Sequence, residues 1–206
     1  TVTFQITPEE VTGVKASATT SSVKLTWNAT PQATGYRIFY WSNEKNNWVL
    51  LKDQSGTSYT HSGLPSGTTY KYAVKAYKKV SGTKISGTYP TLSAATLPAK
   101  LTGLKVSKAT DNTLTLKWNA VSGADAYQVF RWDAAKNGWK QIGNVAELTF
   151  TDKNLAAGTE YKYAVRGYKR VDGVLYRGAY PSLTAATAPA KVTGLKTSST
   201  DKAVTL

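Results

Sequence analysis

The chain contains no cysteine and no methionine. Without cysteine there can be no disulfide, no thiolate-ligated zinc and no thiol nucleophile. The lack of methionine removes one oxidation target. Histidine occurs once, as His61, and a lone histidine at a strand end reads as a solvated surface residue. Acidic residues are scarce, 12 Asp and Glu against 26 Lys and Arg. The one adjacent pair, Glu9 and Glu10, reads as solvated charge. No separated carboxylates are placed for general acid–base work. A nucleophile elbow, a phosphate loop and metal-ligand spacing are all missing. The sequence therefore offers no catalytic residue, no cofactor-binding residue and no metal site, and this segment is expected not to be an enzyme. No run of eighteen apolar residues suggests a membrane span, and the first residues do not read as a secretory leader. The opening "TVTFQITPEE" reads as the end of a strand, so the chain is expected to be an internal piece of a longer protein.

What is present is a basic chain of 206 residues with a net charge of +14. The charge is spread over both halves. Residues 11–97 hold ten Lys/Arg against two Asp/Glu, and residues 101–188 hold twelve against seven. Such a surface favours anionic partners, among them teichoic acid, acidic glycans and nucleic acid. The charges alternate along the chain and form no single run, which fits solubility better than any one ligand.

The chain repeats itself. "PEEVTGVK" at Pro8 returns as "PAKLTGLK" at Pro98 and "PAKVTGLK" at Pro189. "VKLTWNA" returns as "LTLKWNA", "GYRIFYW" as "AYQVFRW", and "LPSGTTYKYAVKAYKK" as "LAAGTEYKYAVRGYKR". A fixed period of this kind marks an array of similar units. The reading divides the chain into residues 1–8, the end of a preceding unit or a linker; 9–97, module 1; 98–188, module 2; and 189–206, the partial start of a third. That fragment cannot bury a core alone, so "KVTGLK" or "KAVTL" is expected to pack on module 2 or to extend a strand edge of a neighbouring molecule.

Within each module apolar and polar residues alternate over short runs. Val23, Leu25 and Trp27 share one face, and Lys24 and Thr26 the other. Tyr36, Ile38 and Tyr40 alternate with Arg37, Phe39 and Trp41. Tyr70, Tyr72, Val74 and Ala76 alternate with Lys71, Ala73, Lys75 and Tyr77. Period two is the strand signature, and "NEKNN", "QSGT", "LPSGT" and "VSGT" supply turns between the runs. Ser81-Gly82 and Asp172-Gly173 suit two-residue hairpins. No stretch keeps helical periodicity over two turns. About seven short strands per module predict an all-β fold of two immunoglobulin-like sandwiches in tandem. Burying Trp27 or Trp118 should contribute on the order of 2–3 kcal/mol to a core that has no staple.

In order and spacing, Trp27 and Trp118, Tyr36 and Tyr127, and the corners "LPSGTTY" and "LAAGTEY" resemble the fibronectin type III family. The likeness covers nearly all of residues 11–188. It implies a seven-stranded sandwich per module and a tyrosine corner, in which Tyr70 or Tyr161 bonds back to nearby backbone beside Leu64 or Leu155. The repeats are similar to tandem modules of multimodular secreted or cell-surface proteins of Gram-positive bacteria. The Arg-Gly-Asp of some fibronectin modules is absent, and "LPSGT" is not in the order of a sortase signal.

The remaining signal is aromatic. Trp41 and Trp132 have the phase opposite to the core residues, as do Phe39, Phe130, Tyr77 and Tyr168. Trp48 and Trp139 open the following strand. Arg37, Lys75 and Arg166 fall among them. Arg37, Phe39, Trp41, Trp48, Lys75, Tyr77, Phe130, Trp132, Trp139, Arg166 and Tyr168 are therefore the candidate ligand-binding residues. One reading makes them a platform for cell-wall polymer, a glycan or a host protein. The other makes them mutual cover across neighbouring strands, with cross-strand and cation–π pairing. The second is favoured, and nucleic acid is disfavoured. Repeats, short proline-stiffened linkers and an empty catalytic inventory predict a non-catalytic extracellular spacer, monomeric in isolation, whose partners are the flanking domains of its own polypeptide.

Overall fold

The computed structural model describes residues 7–194, 196–200 and 203–205. Module 1 contributes β1 (Lys15–Ala18), β2 (Ser22–Thr26), β3 (Gly35–Ser42), β4 (Asn47–Gln54), β5 (Ser58–Ser62), β6 (Thr69–Val80), β7 (Thr83–Ser86) and β8 (Thr91–Ala95). Module 2 repeats the series as β9 (Lys105–Ala109), β10 (Thr113–Lys117), β11 (Ala126–Asp133), β12 (Gly138–Val145), β13 (Thr149–Lys153), β14 (Glu160–Val171), β15 (Val174–Arg177) and β16 (Ser182–Ala186). In each module a three-stranded sheet, β1-β2-β5 or β9-β10-β13, faces a larger sheet, β4-β3-β6-β7 or β12-β11-β14-β15. β8 and β16 also pair with β6 and β14. The predicted seventh strand is thus one edge broken in two, because the chain leaves β6 at Gly87–Pro90 and rejoins it at Thr91. All ladders within the modules are antiparallel.

Alternation along β2, β3 and β6 sends one set of side chains into the space between the sheets. Val23, Leu25, Trp27, Tyr36, Ile38, Tyr72 and Val74 are buried there, as are Leu114, Leu116, Trp118, Tyr127, Val129, Tyr163 and Val165 in module 2. The Trp27 ring meets Tyr36 edge-on at 5.5 Å, and Trp118 lies 5.6 Å from Tyr127. Each of those tyrosines also ties down a loop: Tyr36 accepts from the Thr30 N–H at 2.8 Å, and Tyr127 from the Val121 N–H at 3.0 Å. A β-bulge interrupts the ladder at Ile38/Phe39 and recurs at Val129/Phe130. At the β6–β7 and β14–β15 hairpins both central residues have positive φ, +48° and +86° at Ser81-Gly82 and +47° and +80° at Asp172-Gly173. These are the signs a type I′ turn requires.

The tyrosine corner is present in only one module. In module 2 the Ala156 N–H donates to the Tyr161 hydroxyl at 2.9 Å. In module 1 the matching residue is Pro65, which has no N–H to give. Tyr70 instead packs against His61 and Tyr72.

The modules also touch. Val171 and Tyr176, from the β14–β15 hairpin, are buried within the hydrophobic cluster of module 1. They cover Ala94 and Ala95 at the end of β8, which are fully buried. Burial pushes the Tyr176 phenol up, and hydrogen bonding to the Ala95 backbone opposes that shift. Alongside, Gly67 of module 1 meets the loop before β11: a Cβ on Gly67 would lie 2.7 Å from the Ser122 carbonyl oxygen and 2.9 Å from Gly123 Cα.

Beyond module 2, Lys191, Val192, Thr193 and Gly194 are exposed, so this part of "KVTGLK" does not pack on the preceding module as expected. Leu195, like residues 1–6, 201, 202 and 206, lies outside the described residues. The rest pairs with itself: β17 (Ser198–Thr200) and β18 (Ala203–Thr205) form their own antiparallel ladder. They reproduce the first hairpin of modules 1 and 2, because local strand pairing is satisfied before a longer-range partner is needed. We expect Tyr161→Phe to lower the unfolding free energy of module 2 by about 1 kcal/mol, the worth of one hydrogen bond. Tyr70→Phe should cost module 1 less. Urea denaturation followed by residue-resolved NMR separates the two modules.

Candidate functional site

The outer face of the larger sheet in module 1 is built by β3, β4 and β6. Trp41 stands directly opposite Trp48 on the β3–β4 ladder, and their rings meet edge-to-face at 5.5 Å. Trp48 in turn meets Tyr89 at 6.4 Å. Phe39, Trp48, Ala73, Lys75 and Tyr89 line a shallow depression, with the Lys75 ammonium 5.2 Å from the Tyr89 ring centre. Module 2 builds the same depression from Phe130, Trp139, Ala164, Arg166 and Tyr180. Trp132 and Trp139 lie 5.4 Å apart, Arg166 sits 5.0 Å over Phe130, and Lys162 lies 5.7 Å from both indoles.

Phe39, Trp48 and Lys75 therefore converge in module 1, and Phe130, Trp139 and Arg166 in module 2. Trp41 and Trp132 buttress them from the side. Arg37 and Tyr77 belong to a separate group. Tyr77 and Tyr168 lie on the outer face by phase, but side chains of neighbouring strands cover them, leaving 8% and 6% exposed. The Tyr77 hydroxyl donates to Asp53 Oδ1 at 2.8 Å, Arg37 Nε lies 3.4 Å from Asp53 Oδ2, and Lys84 also pairs with that carboxylate. Burial pushes the Asp53 carboxyl up, but hydrogen bonds from Lys84, Tyr77 and Arg37 together with the Lys84 charge outweigh it. They hold the group below the ordinary carboxylate range. Module 2 has Asn144 at this place and substitutes amides: Arg166 Nε donates to Gln128 at 2.9 Å, and Gln128 to Gln141 at 3.2 Å. Tyr89 and Tyr180 were missed among the candidates. Their signal was the repeat "TYP" and "AYP", which reads as a turn until the break between β7 and β8 folds it over the sheet.

His61 is not the solvated residue its lone occurrence suggested. It is half-buried, its Nδ1 lies 3.2 Å from the Tyr72 hydroxyl, and its ring packs against Tyr40, Tyr70 and Tyr72. At the corresponding place in module 2, Asp152 accepts from Tyr163 at 2.8 Å and pairs with Arg131 Nη1 at 2.8 Å. Both arrangements satisfy the same buried tyrosine, one neutral and one charged. Among the described residues no cluster of three or more His, Cys, Asp or Glu could hold a metal ion.

A family model for the fibronectin type III domain matches residues 7–90 and 99–175. The chain belongs to the fibronectin type III family. Its two matched segments are non-catalytic modules of that family, arranged in tandem. The chain is 28% identical over 208 aligned residues to Exoglucanase B of Cellulomonas fimi, an alignment covering 91% of the chain and 18% of that protein. It is 29% identical to Chitinase A1 of Niallia circulans, over 72% of the chain and 21% of the relative. It therefore spans about a fifth of the length of these curated relatives. A two-domain segment of chicken tenascin aligns at 19% identity and a TM-score of 0.49, covering 86% of the chain and 99% of that structure.

The His61 environment makes module 1 acid-sensitive. Desolvation by burial holds the His61 pKa below its ordinary value near 6.5. Folding is then most stable with the ring neutral. As pH falls below about 6.5 the unfolded chain takes up a proton that the folded chain resists, and stability drops until the lowered native pKa is passed. Asp53 adds its own loss only at lower pH, as pH falls through the ordinary carboxylate value of 3.8 towards the lowered folded one. We expect the thermal midpoint of module 1, but not that of module 2, to fall between pH 7.5 and pH 5.5. His61→Gln should flatten this dependence; an unchanged slope would remove His61 as its source. Separately, Trp132→Ala should cost module 2 about 1 kcal/mol in urea, the scale of one aromatic pair.

Proposed function

We propose that the tandem modules act as an extracellular spacer that holds other domains of a larger secreted or surface-attached bacterial polypeptide apart at a fixed angle. The observation that carries this reading is the burial of Val171 and Tyr176 in the core of module 1. Two domains joined by a short linker alone can swivel; two that share an apolar contact and a glycine-to-glycine approach resist it. The bacterial relatives agree with a modular setting, because the matching segments are minor parts of proteins named as enzymes.

A second reading has its own observation. The depression of Phe39, Trp48 and Lys75 recurs as Phe130, Trp139 and Arg166, as a repeated glycan or wall-polymer site would. The paired indoles, however, meet edge-to-face, Lys75 lies over Tyr89, Lys162 over Trp132 and Trp139, and Arg166 over Phe130. Mutual cover is the better account of the same side chains.

X-ray scattering tests the spacer. The native chain should behave as one elongated monomeric particle with a narrow distance distribution. Val171→Asp should broaden that distribution by burying a charge at the joint, with both modules still folded by NMR. An identical curve for the variant, or a folded-back native particle, would sink the reading. Retention on wall polymer at low salt that is lost with Trp41→Ala and Trp132→Ala would instead establish the aromatic faces as the binding site.

A further inference from the structure

The two modules expose the same surface to different neighbours. Ala94 and Ala95 at the end of β8 are fully buried beneath Val171 and Tyr176. Their counterparts, Ala185 and Ala186 at the end of β16, are half-buried and exposed. Gly67 is pressed against Ser122 and Gly123, whereas a Cβ on its counterpart Gly158 would meet nothing nearer than Pro189 Cα at 3.9 Å. Residues and backbone are repeated, but the cover is absent.

The segment leaving Ala186 is repeated too. "AATLPAKLTGLK" at residues 94–105 becomes "AATAPAKVTGLK" at residues 185–196, differing at two positions, Leu97/Ala188 and Leu101/Val192. Leu101 is 1% exposed because it fills the core of module 2, and Val11 does the same in module 1; Val192 is 70% exposed. β17 and β18 form the hairpin that opens each module. The linker thus has the length and wording of the one that lets module 2 reach back onto module 1.

We propose that the Ala185–Ala186 end of module 2, with the notch at Gly158, is a docking surface for the β14–β15-type hairpin of a further module of this repeat, joined through residues 187–196. The inference rests on the spacer reading and gives it a rule of succession. The incoming module must present an apolar pair at the positions of Val171 and Tyr176. It must also have glycine at the position of Gly123, because a side chain there would strike the backbone of the receiving corner. Module 1 meets the first only with Val80 and the smaller Ile85, and fails the second. It carries Gln32, at a φ of +60°, where module 2 has Gly123, and Ile85 where module 2 has Tyr176. The repeat is therefore polar: a module like module 2 can be received, and one like module 1 cannot close in the same way. Short linkage supplies the high local concentration that so small a contact needs.

The test extends the full chain by a second copy of residues 98–188 placed directly after Ala188. Module 2 has a hydrophobic cluster drawn wholly from its own residues, so the copy has its own core. Amide exchange at Ala186, read by NMR, should slow roughly tenfold or more relative to the present chain, the factor given by about 1.4 kcal/mol of added protection. A control, in which the added copy alone carries G123Q and Y176I, should leave Ala186 as fast as in the present chain. Fast exchange at Ala186 in the first extended chain, with the added copy folded, overturns the proposal, and so does equal slowing in the control. Ala95 in the same spectra separates this from the reading beneath it. Ala95 protected while Ala186 stays open sinks the docking surface alone, whereas Ala95 open as well sinks the rigid joint.

Discussion

Everything in this molecule depends on one constraint: alternate side chains of each β-strand must close a dry interior between two sheets with no covalent staple. The chain has no cysteine, so Trp27 against Tyr36, and Trp118 against Tyr127, must supply by area and shape what smaller domains take from disulfides. The tyrosines do more than fill space, since their hydroxyls accept from the loop backbone at Thr30 and Val121. A dry core also leaves the indole nitrogens of Trp27 and Trp118 without a hydrogen-bond partner among the described residues. Burying two large rings outweighs that loss, because a side chain of this size gains more from leaving water than one neutral donor forfeits.

With the interior settled, the modules diverge where the constraint is weaker. The aromatic layer on the outer sheet face is retained in both, yet the polar groups set into it differ. Asp53 gathers Arg37, Lys84 and Tyr77 in one module, and a chain of amides joins Gln141, Gln128 and Arg166 in the other. Beneath the other flank, His61 serves Tyr72 where Asp152 and Arg131 serve Tyr163. A buried phenol demands a partner, but the demand is met equally by a neutral ring or by a charge that is itself paired. Such interchange supports the proposed reading of these side chains as mutual cover. A shared ligand site would constrain the polar groups as closely as the aromatic ones.

The same freedom ends at the joint. Gly123 and Tyr176 in module 2, against Gln32 and Ile85 in module 1, are differences that local folding does not require. Both sets sit comfortably in a sandwich. They matter only where a second sandwich approaches, and there a single Cβ decides whether two backbones can meet.

Period two in runs such as Val23–Trp27 and Tyr36–Trp41 made the strands legible, because a strand buries or exposes a side chain by position alone. The two-residue hairpins were legible for a similar local reason. Less visible were features that need a distant neighbour. Tyr89 joins Trp48 only after an edge strand breaks and folds back. Tyr77 is covered by Asp53 and Lys84 from other strands, and His61 is drawn under Tyr40. Pro65 silently deletes the tyrosine corner of module 1. By itself, then, the sequence determined the repeat, the sandwich and the face each strand residue takes, since these follow from alternation and turn chemistry within a few residues. Only the tertiary structure decided which outward residues are truly exposed and how module 2 seats on module 1, because those depend on packing between segments far apart along the chain.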